Sequence, residues 1–152
     1  MNTYAKQEQL IFWNIFDDIL IQNGEPFELL HEKSGEVTFW GVVNKKKSLI
    51  DLGLSVDFSV QKETLRINIY MRNKIDLYEY LYERKDEIEQ KLGFNVIWND
   101  KCPHSNTRRI EYNISFVSGD RNGYMDLIEE ALPIIASFKE VFTGYIENLV
   151  DF

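Results

Sequence analysis

Between Leu54 and Arg72 apolar and polar residues alternate almost one for one. Leu54, Val56, Phe58 and Val60 interleave with Ser55, Asp57, Ser59 and Gln61, and Leu65, Ile67, Ile69 and Met71 with Arg66, Asn68, Tyr70 and Arg72. A period of two belongs to a strand with one face buried and one wet, so two neighbouring antiparallel strands are expected. Lys62 and Glu63 between them supply neither Gly nor Asn, which predicts a loop longer than a two-residue primed turn. Ile110, Tyr112, Ile114 and Phe116 alternate with Arg109, Glu111, Asn113 and Ser115 in the same manner. Glu36 to Val43, ending at the polar turn Asn44 to Lys47, and the short run Phe94 to Trp98 are β-branched and aromatic, which makes five strands in all.

Three other segments carry a helical pattern. Tyr4 to Gln22 is rich in helix formers and stops at Asn23-Gly24 with Pro26 beyond; nine of the twelve residues from Leu10 to Ile21 are apolar, so burial on several sides is expected. Asp76 to Leu92, with Asp76 as cap and Gly93 as left-handed stop, shows Tyr78, Leu81, Tyr82, Ile88 and Leu92 on one side. Gly119, Asp120, Asn122 and Gly123 form a loop before a last helix that Pro133 should kink or break. In that helix Ile128, Ala131, Ile135, Phe138, Phe142, Tyr145 and Leu149 recur at alternating gaps of three and four, the spacing of a heptad seam. The partner of such a seam is either a second copy or the chain's own sheet, and the sheet is the simpler expectation.

The order α-β-β-β-α-β-β-α predicts a two-layer α+β sandwich, a mainly antiparallel sheet of about five strands with three helices packed on one face and the other face wet. At 152 residues, with 44% apolar and 28% charged, the chain reads as one packed domain spanning residues 1–152. Cys102 is the only cysteine, so a disulfide within the chain is impossible and a reducing, cytoplasmic setting is expected. The apolar run Leu10 to Trp13 is broken by Asn14, Asp17 and Asp18 and lacks the core of a signal peptide, and no stretch has the length of a membrane span, so no membrane partner is expected.

The net charge of −8 is unevenly spread. The helical segments 1–35, 76–92 and 120–152 hold seven basic and nineteen acidic side chains, whereas the remainder, mostly strand, holds ten basic and six acidic. Acidity thus belongs to the helices and a mild positive excess to the sheet, which keeps a nucleic-acid reading open for the sheet alone.

Taken together, QLIFWNIFDDIL, the strand ending RINIYM, DLYEYLYERKDEIEQKLGFNVIWND, the RRIEY strand and the SFKEVF helix resemble a bacterial family of domains of unknown function, found alone or C-terminal to restriction-endonuclease-like nuclease domains. The resemblance covers nearly the whole chain and transfers no catalytic residues. It implies an accessory domain near restriction, defence or DNA-processing systems.

The residues themselves offer little chemistry. Glu89-Gln90-Lys91 has the acidic-x-Lys form of a nuclease strand but falls on a helix, where a solvated face is the ordinary reading. His31 and His104 are the only histidines, both expected in loops, and Cys102 with His104 supplies two soft ligands where zinc needs three or four. No phosphate-cradling glycine loop and no nucleophile elbow occur, so no catalytic residue, metal site or cofactor is expected. The surface that invites a ligand is the polar sheet face: Arg66, Asn68, Tyr70 and Arg72 on one strand, Arg109 and Asn113 on another, with Glu111 between. Arginine beside tyrosine suits stacking and phosphate contact with single strands. The leading expectation is a non-catalytic accessory or protein-interaction domain that binds a protein partner or self-associates. Nucleic-acid binding through the sheet face is the alternative, and a remnant of a restriction-like nuclease the second.

Overall fold

The computed structural model describes residues 3–23, 31–33, 36–44, 49–100 and 106–147, with side chains outside residues 23, 31–33, 36–44 and 49–51. Four long antiparallel segments form the body of the sheet: β2 (Glu36–Asn44), β3 (Leu49–Ser59), β4 (Thr64–Arg72) and β6 (Thr107–Ser115). Two three-residue strands, β1 (His31–Lys33) and β5 (Ile97–Asn99), flank them, giving the order β1-β2-β3-β4-β6-β5. The helices are α1 (Thr3–Asn23), α2 (Ile75–Tyr82), α3 (Lys85–Leu92) and α4 (Arg121–Ile146).

The α+β reading holds, but its counts change. Among the described residues six strands replace five, because His31, expected in a loop, opens an added strand paired with β2. Four helices replace three among the same residues, because the expected helix 76–92 divides at Glu83 and Arg84. There the Arg84 amide bonds to the Leu81 carbonyl at 2.9 Å, tightening the turn, while its guanidinium donates to the Tyr80 carbonyl at 2.8 Å. A side chain thus satisfies a carbonyl that the helix ladder leaves open. Asp76 is no cap; α2 starts at Ile75 behind Lys74, and Asp76 lies in the first turn, where a carboxylate still favours the positive end of the helix dipole. Gly93 ends α3 at φ 86°, as expected of a left-handed stop.

Register follows the alternation. Leu52, Leu54, Val56 and Phe58 of β3 lie opposite Met71, Ile69, Ile67 and Leu65 of β4, of which Ile69 and Leu65 in turn face Ile110 and Ile114 on β6. These side chains join Phe12, Trp13 and Phe16 of α1, Leu77 and Leu81 of α2, Ile88 of α3 and Ile128, Ile135, Phe138 and Phe142 of α4 in one hydrophobic core. The β3–β4 connection takes four residues, Val60 to Glu63, with Glu63 at φ 48°, in line with the expected longer loop.

Two helix expectations need correction. Of the kink or break expected at Pro133 the break does not occur: α4 runs continuously through Pro133, which faces solvent, so water can reach the carbonyl four residues back that lost its amide partner. In α1 burial is confined to one face, holding Phe12, Trp13, Phe16, Ile19 and Leu20, while Leu10 is 64% and Ile21 78% exposed. The strand expected at Phe94 to Trp98 is shifted to Ile97–Asn99. The heptad residues Ile128, Ala131, Ile135, Phe138 and Phe142 are all fully buried within the chain's own core; Leu149 lies outside the described residues, as do Cys102 and His104.

Candidate interaction surfaces

The polar sheet face is assembled by three cross-strand rows. Asp57, Arg66 and Asn113 form one, Ser55, Asn68 and Glu111 the next, and Gly53, Tyr70 and Arg109 the third. The pleat therefore puts Arg66, Asn68, Tyr70, Arg109 and Asn113 on one surface, as alternation predicts.

What alternation does not report is depth. Asn68 and Ser55 are fully buried, Glu111 and Tyr70 nearly so, and Tyr70 stays outside the hydrophobic core. Arg66 donates through Nε to Asp57 Oδ2 at 2.7 Å, with Nη2 at 2.6 Å from the same oxygen. Asn68 donates to the Ser55 carbonyl at 3.2 Å and to Asp57 Oδ2 at 3.3 Å, and its own Oδ1 accepts from Arg109 Nη1 at 2.8 Å. The Arg109 guanidinium lies 5.7 Å from the centre of the Tyr70 ring. Farther on, Asn99 donates to Glu111 Oε2 at 2.9 Å. On this face Arg66 is thus charge-paired, while Arg109 and Glu111 are held by the neutral amides of Asn68 and Asn99. Arg72 is half-buried and Asn113 exposed, and beyond their places in the β4–β6 ladder neither side chain makes a hydrogen bond or ion pair with the described residues.

A different surface lies at the β5 edge. Tyr78 and Tyr82, one turn apart on α2, stack at 6.1 Å and both meet the Trp98 ring edge-on, at 6.2 and 5.6 Å. Beside them is a cleft of about 410 Å³, lined by Ile75, Tyr78 and Tyr82, by the carboxylates Glu79, Glu83 and Asp100, and by Arg108. Tyr82, expected on the apolar side of its helix, is 49% exposed, and Ile75 is 45% exposed. α2 holds Leu77, Tyr78 and Leu81 in the core, so Ile75 and Tyr82 present the exposed flank of that stripe. The sequence placed Tyr78 and Tyr82 on the apolar side of this helix; that Tyr82 lies beyond the cover of the sheet while Tyr78 lies under it was not visible there.

A second cleft, of about 530 Å³, runs between Tyr80, Lys91 and the α4 residues Ser137, Glu140, Val141 and Tyr145. Its cation is already engaged: Lys91 pairs with Glu87 at 3.2 Å and sits 4.8 Å from the Tyr145 ring. The Tyr145 hydroxyl and the Glu87 carboxylate push the Lys91 ammonium up, and Lys91 first, then Tyr145, holds Glu87 below the usual carboxylate range. Glu89, read from the sequence as a solvated residue, accepts the Val96 amide at 2.9 Å and ties the end of α3 to the approach of β5. Among the described residues no group of three His, Cys, Asp or Glu side chains is placed to hold a metal ion. No described helix is long and apolar enough to cross a membrane.

These features define an α+β domain, an antiparallel sheet covered by helices on its apolar face, with an aromatic, acid-rimmed cleft at one edge. The chain belongs to the family described as domain of unknown function DUF4268, whose profile matches residues 9–146. No curated protein matches it. Among solved structures, a chain from the HopA1–SchA chaperone–effector complex is similar at 12% identity, over 88% of this chain and 97% of that one, with a TM-score of 0.37. A likeness that remote carries no functional argument.

Proposed function

We propose that this protein is a non-catalytic interaction domain whose ligand is another protein. The observation that carries this reading is the aromatic and apolar surface at the β5 edge, where Ile75 and Tyr82 stay exposed beside Tyr78 and Trp98. Aromatic side chains grouped at a cleft are the usual anchors of protein interfaces. Self-association through the α4 seam is not part of the proposal, because that seam is spent on the core. The resemblance of the sequence to domains that follow nuclease modules supports a finer version, in which the partner belongs to a restriction or DNA-processing system and this chain acts as its accessory. Cross-linking in intact cells at native expression is the test: a discrete complex with one stoichiometric protein is expected, and recovery of the uncross-linked chain alone would sink the reading.

Single-stranded nucleic acid on the polar sheet face ranks second. Arg72 and Asn113 support it, since no described residue engages their side chains, but Arg66 and Arg109 would have to leave Asp57 and Asn68 to reach a phosphate. Under this reading Arg66→Ala, Arg72→Ala and Arg109→Ala together weaken oligonucleotide binding and flatten its salt dependence. Absence of oligonucleotide binding at low salt removes it.

A further inference from the structure

The cleft at the β5 edge has a definite chemical character. Its walls are the stacked rings of Tyr78 and Tyr82 with Ile75, and its rim carries Glu79, Glu83 and Asp100 against Arg108 among the described lining residues. Lys85 Nζ lies 5.8 Å from the Tyr82 ring and Arg84 3.8 Å from the Glu83 carboxylate, so an incoming guanidinium competes with exposed side chains of the chain itself. A volume of about 410 Å³ falls within the range of ligand-sized clefts. An anionic ligand meets three carboxylates there, and a purely apolar one leaves them facing a dry surface.

A planar cation satisfies both parts. A guanidinium lies flat on a tyrosine face and at the same time forks two hydrogen bonds to a carboxylate at its edge, which an ammonium does less well. The chain itself shows the first half of this contact nearby, where the Arg84 guanidinium rests 3.7 Å from the centre of the Tyr80 ring. A second copy of this chain is a poor occupant, since at a net charge of −8 its acidic helices would meet an acidic rim.

We propose that the α2–β5 cleft is the docking site for an arginine-bearing segment of the partner protein, with the guanidinium against the exposed Tyr82 ring, which Tyr78 backs from the core, and held by Glu79, Glu83 and Asp100. The inference rests on the protein-interaction reading and names the chemistry of the partner. Binding of this kind weakens as salt rises, because the rim carboxylates are exposed.

The test uses the whole chain as bait for a random dodecapeptide display library, followed by anisotropy titration of the enriched sequence as a synthetic peptide. Enrichment of arginine is expected, with affinity lowered about tenfold by Tyr82→Ala, by the isosteric set Glu79→Gln, Glu83→Gln and Asp100→Asn, or by replacing the peptide's arginine with citrulline. Tyr82 is half exposed and the acid variants keep side-chain shape, so folding is preserved and is checked by circular dichroism. Peptides lacking arginine, or affinity untouched by all three changes, overturn the cleft assignment while leaving an interaction domain standing if cells still yield the cross-linked complex. No enrichment on the wild-type chain overturns the assignment as well, and loss of the cellular complex separately removes the reading beneath it.

Discussion

Tyr124 shows how much one buried hydroxyl can hold. Its ring is enclosed by Phe12, Phe58 and Phe116, with centroids 5.8, 5.5 and 5.9 Å away. The hydroxyl donates to Glu8 Oε1 at 2.8 Å and accepts the Gly119 amide at 2.9 Å, tying α1 to the loop before α4. Tyr124→Phe leaves a buried carboxylate oxygen and an amide short of a partner, and should cost about 1–3 kcal/mol in urea unfolding. Burial, reinforced by Glu8 and opposed by the Gly119 amide, pushes the phenol up to about 12. The unfolded phenol titrates near 10. The folded state therefore keeps the extra proton in between, and stability is complete below pH 10 and declines as pH rises toward 12, by on the order of 2 kcal/mol. Alkaline melts should show this slope in the wild type and lose it in the Phe variant. Asn68 is the polar counterpart: Asn68→Ala removes the acceptor of Arg109 and a donor to Asp57 within a buried network, and a loss of about 1–3 kcal/mol is expected by the same measurement. The sequence could place Asn68 on the correct side of its strand, because the period of two reports side. It could not show that Asn68 is buried, because that depends on neighbours brought in from other strands, among them Asp57 of β3 and Arg109 of β6.

At the scale of elements, local rules were legible where a single residue decides the backbone and illegible where a contact does. Gly93 belongs to the first kind: its φ of 86° suits only glycine cheaply, and a Cβ added there would meet nothing within 4 Å. Gly93→Ala should thus cost about 1 kcal/mol from backbone strain alone, visible as a lower unfolding midpoint with an unchanged denaturant slope. The division of α2 from α3 belongs to the second kind. LYERKDEI is composed of helix formers, and the break is set by the Arg84 side chain taking the Tyr80 carbonyl in place of a backbone amide. Pro133 was legible as an anomaly, yet its consequence depended on whether the orphaned carbonyl could reach water, which only the packing of α4 decides.

At the scale of the molecule, the alternation of strands and the stripes of helices were enough to give an antiparallel sheet with an apolar side under helices. The heptad spacing of α4 was ambiguous for a physical reason, since a seam looks the same in sequence whether its partner is a second helix or the chain's own sheet. Its burial decides the matter for the described residues: Phe138→Ala should cost about 3–5 kcal/mol and leave the sedimentation coefficient of the folded chain unchanged. A shift in association state would contradict that assignment. The cleft at the β5 edge was least legible, because it depends on where α2 overhangs the sheet and not on any residue type.

The joint at Glu83 and Arg84 leaves its two short helices with different anchors, α2 against β4 and α3 against α4. Each half can then open to solvent on its own. In deuterium the amides of α2 should exchange as one cooperative unit, with a lower protection factor than those of α4, and slow selectively once a ligand fills the cleft they border.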